Sequence, residues 1–145
     1  MYSDFLILGG AGLVGLQVCR HIAQRLEPRR IVVASLQQQE ADDAIAQLQE
    51  EFGDAVEFVA VSGNLFVPTD LAHTHRHALL EDDALRRRLL SALFDDFENA
   101  FRENHLAEII RTNKPDVIVD CVNTATGISY QDVFESTALL RDDLA

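Results

Sequence analysis

A short apolar run, Phe5-Leu6-Ile7-Leu8, leads straight into Gly9-Gly10-Ala11-Gly12-Leu13-Val14-Gly15, and an amphipathic stretch leaves it. So many glycines can neither extend a strand nor sit economically inside a helix, since each loses the most backbone freedom on folding. They fit a tight strand-to-helix turn. Two phosphate-binding patterns overlap here: Gly10, Gly12 and Gly15 read as G-x-G-x-x-G, and Gly9, Gly12 and Gly15 as G-x-x-G-x-x-G. In a strand–turn–helix context such a pattern points to a dinucleotide. The first glycine permits the turn, the second lets backbone approach a pyrophosphate, and the third lets helix and strand pack closely. The N–H groups and positive dipole end of the following helix, opening at Leu13 and Val14, would face the anion. A glycine-rich turn without a ligand is the plainer alternative.

The next sixty residues alternate. Strands are expected at 5–8, 30–34 and 55–61. A first helix should bury Val14, Val18, Ile22 and Leu26, spaced every four residues. A second, over 38–52, should bury Ala41, Ile45, Leu48 and Phe52 and stop at Gly53. Such β-α-β-α-β alternation implies a parallel sheet. The expected fold is α/β, a Rossmann-like doubly wound parallel sheet in the order 3-2-1-4. Residues 69–112 carry no strand signal. A short helix at 70–80 and a longer one at 83–112 are expected, the latter on the stripe Leu85, Leu89, Leu93, Phe97 and Phe101, with Asp82–Arg86 and Asp83–Arg87 paired on its other face. This long helical insertion separates strands 3 and 4. Lys114-Pro115 ends it. A fourth strand over 116–123 and a last helix over 131–144 complete the chain. One half of the doubly wound fold and the start of the second are present, so residues 1–145 read as the nucleotide-binding domain of a longer, truncated enzyme; a complete four-strand binding module is the alternative.

Charge and composition narrow the partners. A net charge of -12 argues against nucleic acid and anionic membrane surfaces, both of which reward cationic patches. A bound dinucleotide must then be held by local N–H groups against the overall field. No apolar run is long enough to cross a membrane, and the N-terminal stretch lacks a basic segment and carries Asp4, unlike a signal peptide. Cys19 and Cys121 have no C-x-x-C partners and read as reduced. A cytoplasmic protein is expected. His73, His75 and His77 invite a metal reading, but no H-E-x-x-H pattern or cysteine pair accompanies them, and no metal is expected.

The carboxyl ends of the strands should line the ligand crevice. An acid about 20 residues past the glycines would hold the adenosine ribose and favour NAD. That position is Ser35, and the next acid is Glu40, already inside the second helix. The missing acid leans towards NADP over NAD, although no Arg or Lys adjoins Ser35. Asn64 and Leu65, after strand 3, lie where the adenine edge would sit; Gly63-Asn64 is equally a plain turn pair. Val122, Asn123 and Thr124, after strand 4, would flank the nicotinamide ribose, or form a generic strand-to-helix loop. Tyr130 is the only tyrosine near the crevice, and Phe134 stands where a Tyr-x-x-x-Lys pair would need its lysine. No catalytic residue is assigned.

The glycine loop Leu8–Gly15 with Gly63-Asn64-Leu65 and Lys114-Pro115-Asp116-Val117-Ile118-Val119-Asp120 resembles the short-chain dehydrogenase/reductase superfamily, especially its extended and atypical branches. The loop matches best in its Gly9, Gly12, Gly15 spacing. Asn64-Leu65 replaces an Asp-Leu or Asp-Val, and Asp120 stands where His is common. The resemblance implies an NAD(P)-dependent oxidoreductase, a dehydrogenase or reductase, or a sugar-nucleotide epimerase or dehydratase. It also implies a small-molecule substrate bound by a later region that holds the family's Tyr and Lys. The reading of a different class is a non-catalytic dinucleotide sensor or interaction module, suggested by the absent catalytic pair and the helical insertion. Oligomeric state is not legible.

Overall fold

The computed structural model describes residues 2–122. Strands β1 (Asp4–Leu8), β2 (Arg30–Ser35), β3 (Glu57–Ser62) and β4 (Val117–Asp120) form one sheet in the order β3-β2-β1-β4. Every pairing is parallel: Leu8 lies opposite Ala34 and Asp120, and Ser35 opposite Ser62. This is the expected Rossmann-like α/β arrangement. All four carboxyl ends therefore share one rim. The order reverses beside β1, since β2 and β3 extend to one side and β4 lies on the other, the kind of switch point at which open α/β sheets take ligands.

Alternating strand residues feed two cores, as the pleat demands. Phe5, Ile7, Ile31 and Val33 face one way, against helices α1 (Leu13–Arg25) and α2 (Gln38–Phe52). Leu6, Leu8, Val32 and Ala34 face the other, against Leu65 and Ile109 of helix α6 (His105–Asn113). Leu6, Ile7, Ile31 and Leu48 are fully buried. Each contributes about 1.5–3 kcal/mol of transfer free energy. The sheet thus has helices on both faces, which explains why its strands read as continuous apolar runs.

The buried line of α1 differs from the expected stripe. It is Gly15, Cys19 and Ile22, with Val18 half-buried; Val14 and Leu26 are largely exposed. The helix is turned so that a glycine backbone, rather than a valine side chain, meets the sheet. On α2, Ala41, Ala44 and Leu48 are buried, with Ile45 and Phe52 packed at the margin. Gly53 caps it at φ 58°.

The single helix expected over 83–112 is three. They are α4 (Asp83–Phe94), α5 (Phe97–Glu103) and α6, preceded by α3 (Arg76–Glu81). Each begins at an acid or amide N-cap. Asp82 accepts from the N–H groups of Ala84 and Leu85, Asp96 from Glu98, and Asn104 from Ala107. Side-chain oxygens there satisfy donors that a continuous helix would have used internally. Asp82 is thus a cap that also lies in the field of Arg87 and Arg86, and Arg86 forms an ion pair with Asp83. Leu85 and Leu89 pack on a small core of Val67, Leu71, Ala72 and Leu79, whereas Phe97 and Phe101 are exposed. Strand β4 stops at Asp120, short of the expected residue 123, where its carboxylate accepts from Val122 N–H at 2.8 Å. The helix expected over 131–144 lies outside the described residues.

Candidate functional site

The glycine loop crosses the rim between β1 and α1. Gly9 has φ +70°, a conformation that disfavours side chains, and makes the turn out of β1. Gly10 lies over the sheet: its N–H donates to Ala34 O at 2.9 Å, and an added Cβ would meet Val33 Cγ1 at 2.9 Å. Gly12 is the N-cap of α1 and donates to Gly9 O at 3.0 Å. Among the described residues, a Cβ at Gly12 would have only Gly9 O, 3.3 Å away, as a near neighbour. At Gly15 it would lie 2.2 Å from Gly9 O and 2.7 Å from Gly10 Cα. The three glycine roles thus fall on Gly9 for the turn, Gly12 for the open approach and Gly15 for close packing. Gly10 serves contact with the sheet instead.

The first turn of α1 leaves the N–H groups of Leu13, Val14 and Gly15 without intrahelical acceptors. Gly12 has no side chain to cap them. Leu13 is 92% exposed and Val14 59%, so both apolar side chains stand free at the rim. Leu36, just past β2, is likewise exposed. A cradle that a Cβ would fill, below uncapped donors at a positive helix end, fits a pyrophosphate.

The neighbouring strand ends complete the rim. Ser35 Oγ donates to Glu40 Oε2 at 2.6 Å, and Ser62 Oγ donates to Gln38 Oε1 at 2.8 Å. The start of α2 is thereby tied to the ends of β2 and β3. The premise behind the NADP expectation, no acid beside Ser35, does not hold in space: α2 returns a carboxylate to that position. Counting past the glycines reaches Glu40 only inside the helix; the fold is what brings its carboxylate back to Ser35.

Asn64 forms a turn of its own, its Oδ1 accepting from Phe66 N–H at 3.1 Å and its N–H donating to Ala72 O at 2.8 Å. Among the described residues, its side-chain NH2 has no acceptor. Leu65 is 7% exposed and belongs to the core, so any ligand contact it makes goes through its backbone. The loop is pinned from below by buried His105, whose Nε2 lies 2.9 Å from Ser62 O, and by Asn104 Nδ2, which donates to Leu65 O. Gly63, at φ +124°, has no space for a Cβ, which would meet His105 Nε2 at 2.7 Å. His105 had no sequence signal as part of this region.

At β4, Cys121 N–H donates to Leu8 O at 2.9 Å, and a Cβ on Gly9 would meet Cys121 O at 3.0 Å and Val122 Cγ2 at 3.3 Å. Val122 therefore adjoins the glycine loop. Asn123, Thr124 and Tyr130 lie outside the described residues. Burial pushes the Cys19 thiol up to about 12, with nearby Cys121 adding to the effect, so it is no nucleophile. The three histidines diverge: His73 packs edge-on against the His105 ring, His75 Nδ1 accepts from His77 N–H, and His77 Nδ1 pairs with Glu81 at 2.8 Å.

No protein-family model and no curated protein matches the sequence. Among solved structures, the chain is similar to a short-chain dehydrogenase from Sphingobium yanoikuyae in complex with NADPH. The identity is 17% and the TM-score 0.41, over 81% of this chain and 52% of that one. The chain thus spans about half the length of that dehydrogenase. Among the described residues, no helix is long and apolar enough to cross a membrane.

Proposed function

We propose that residues 1–145 are the dinucleotide-binding part of an NAD(P)-dependent oxidoreductase. One contrast carries the reading. The space beside Gly15 is filled by the Gly9 carbonyl, while among the described residues the space beside Gly12 is open, at the uncapped start of α1. A purely structural turn needs the first feature and gains nothing from the second.

In this reading the pyrophosphate lies over Gly12 and accepts hydrogen bonds from the N–H groups of Leu13, Val14 and Gly15. Gly9 and Gly10 hold the loop on the sheet. The adenosine ribose lies at Ser35, and the adenine edge at Asn64 and the Leu65 backbone. The nicotinamide ribose lies at Val122, Asn123 and Thr124. When bound, the nicotinamide supplies a hydride acceptor or donor; this chain's residues bind and orient it. The small-molecule substrate and the proton-transfer groups belong to a region beyond these residues. Dehydrogenase or reductase chemistry and epimerase or dehydratase chemistry share this cofactor half.

The test is a fluorescence titration with NADH and NADPH on the protein and on Gly12→Asp. Asp is a favourable N-cap residue, so the variant keeps the fold while placing a carboxylate in the pyrophosphate cradle. Micromolar binding lost in Gly12→Asp supports the reading. Binding that survives the substitution contradicts it.

A further inference from the structure

We infer that Glu40 is the specificity residue of this site, selecting an adenosine ribose with free hydroxyls over one carrying a 2′-phosphate, and so NAD over NADP. The inference rests on the dinucleotide reading above and reverses the preference expected from residue order alone.

The geometry is local. Ser35 is the last residue of β2, and its neighbour Ala34 accepts the Gly10 N–H bond, so the Ser35–Glu40 pair adjoins the glycine loop. Glu40 is the third residue of α2, whose N-cap Gln37 supplies no side-chain cap. A carboxylate in a helix's first turn is stabilised by the positive end of the helix. It therefore occupies the place an added phosphate would seek. Oε2 accepts from Ser35, and Oε1 has no hydrogen-bond partner among the described residues. A carboxylate only accepts. Ribose hydroxyls can donate to Oε1, whereas a 2′-phosphate brings acceptor oxygens and negative charge. The segments 9–15, 34–40 and 62–66 contain no Arg or Lys to offset that repulsion. The Ser62–Gln38 bond ties the same turn of α2 to β3, and the bond from Ser35 Oγ directs the Glu40 carboxylate to the end of β2.

The other reading of Glu40 is a local brace between α2 and β2, which would affect stability but not cofactor choice. Titration of the full-length protein and of Glu40→Gln with NADH and with NADPH separates the two. Glutamine keeps the shape and an oxygen for Ser35 but removes the charge. The wild type is expected to bind NADH at least about tenfold tighter than NADPH, and Glu40→Gln to bring the two within about threefold, mainly through tighter NADPH. If Glu40→Gln does not fold, Ser35→Ala is the second variant; it keeps the carboxylate and should retain the NADH preference. Equal or tighter NADPH binding by the wild type, an unchanged ratio in Glu40→Gln, or loss of the preference in Ser35→Ala overturns the inference while leaving the glycine-loop reading intact. Failure of the folded protein to bind either cofactor overturns that reading, and this one with it.

Discussion

Replacing Gly15 by alanine should separate packing from binding more sharply than any other single change. In an ordinary helix interior the substitution gains about 1 kcal/mol from propensity. Here the new methyl would sit 2.2 Å from Gly9 O, 2.7 Å from Gly10 Cα and 2.8 Å from Gly9 C. All three atoms are backbone, so no side chain can rotate away. Reaching an ordinary carbon–oxygen separation of about 3.3 Å requires α1 and the loop to part by roughly 1 Å. Overpacking of this kind costs about 1–3 kcal/mol or more. The separation also loosens the buried contacts of Cys19 and Ile22, which follow Gly15 on the same face. Net destabilisation of about 2 kcal/mol is expected, equivalent to a fall of about 8 °C in Tm for a domain of this size. The assay is urea unfolding followed by circular dichroism, with Gly12→Asp alongside. At Gly12 the sole close contact among the described residues is 3.3 Å and the new residue can cap the helix, so that variant should stay within about 1 kcal/mol of wild type. Gly15→Ala at wild-type stability, or Gly12→Asp destabilised as much as Gly15→Ala, would refute the division of labour within the loop.

Three further outcomes follow from the same contacts. Gly63→Ala should cost about 2–3 kcal/mol in urea unfolding, because it combines a left-handed backbone with displacement of His105 from Ser62; a loss below about 0.5 kcal/mol contradicts the pinned loop. Asp116 accepts from the N–H groups of Ser3 and Asp4, which hold its carboxyl below the usual carboxylate range. Its contribution is therefore complete above that range and lost as pH falls through the depressed value; Asp116→Asn should flatten the acid side of a stability–pH profile, and an unchanged profile counts against it. Cys19, protonated and buried, should resist iodoacetamide at pH 8 until the protein unfolds, with half-buried Cys121 reacting first; mass spectrometry showing Cys19 labelled first in the native state contradicts this.

The sheet order was legible because parallel strands buried on both faces leave short β-branched runs, and 30–34 and 117–119 are such runs. The glycine loop was legible because backbone geometry there admits few residues. The face of α1 was not, because Gly15 has no side chain to register in an apolar pattern, and its burial follows from contact with Gly9 and Gly10. The breaks within 83–112 were signalled by Asp96 and Asn104 as N-caps, but the spacing from Leu85 to Phe101 ran across them; Phe97 and Phe101 keep that period while facing solvent. Glu40 and His105 reach the rim only through tertiary placement. A count along the chain reaches Glu40 without its place beside Ser35, and gives no sign of His105.

The most direct measurement is a map of backbone amide shifts in the 15N-labelled protein on addition of NADH. The account predicts the largest changes at Gly12, Leu13, Val14 and Gly15, with a second group at Ser35 and Asn64. Shifts gathered instead around Thr69, Asp70 and Arg88, which line a separate polar groove, or no shifts at saturating cofactor, would contradict it.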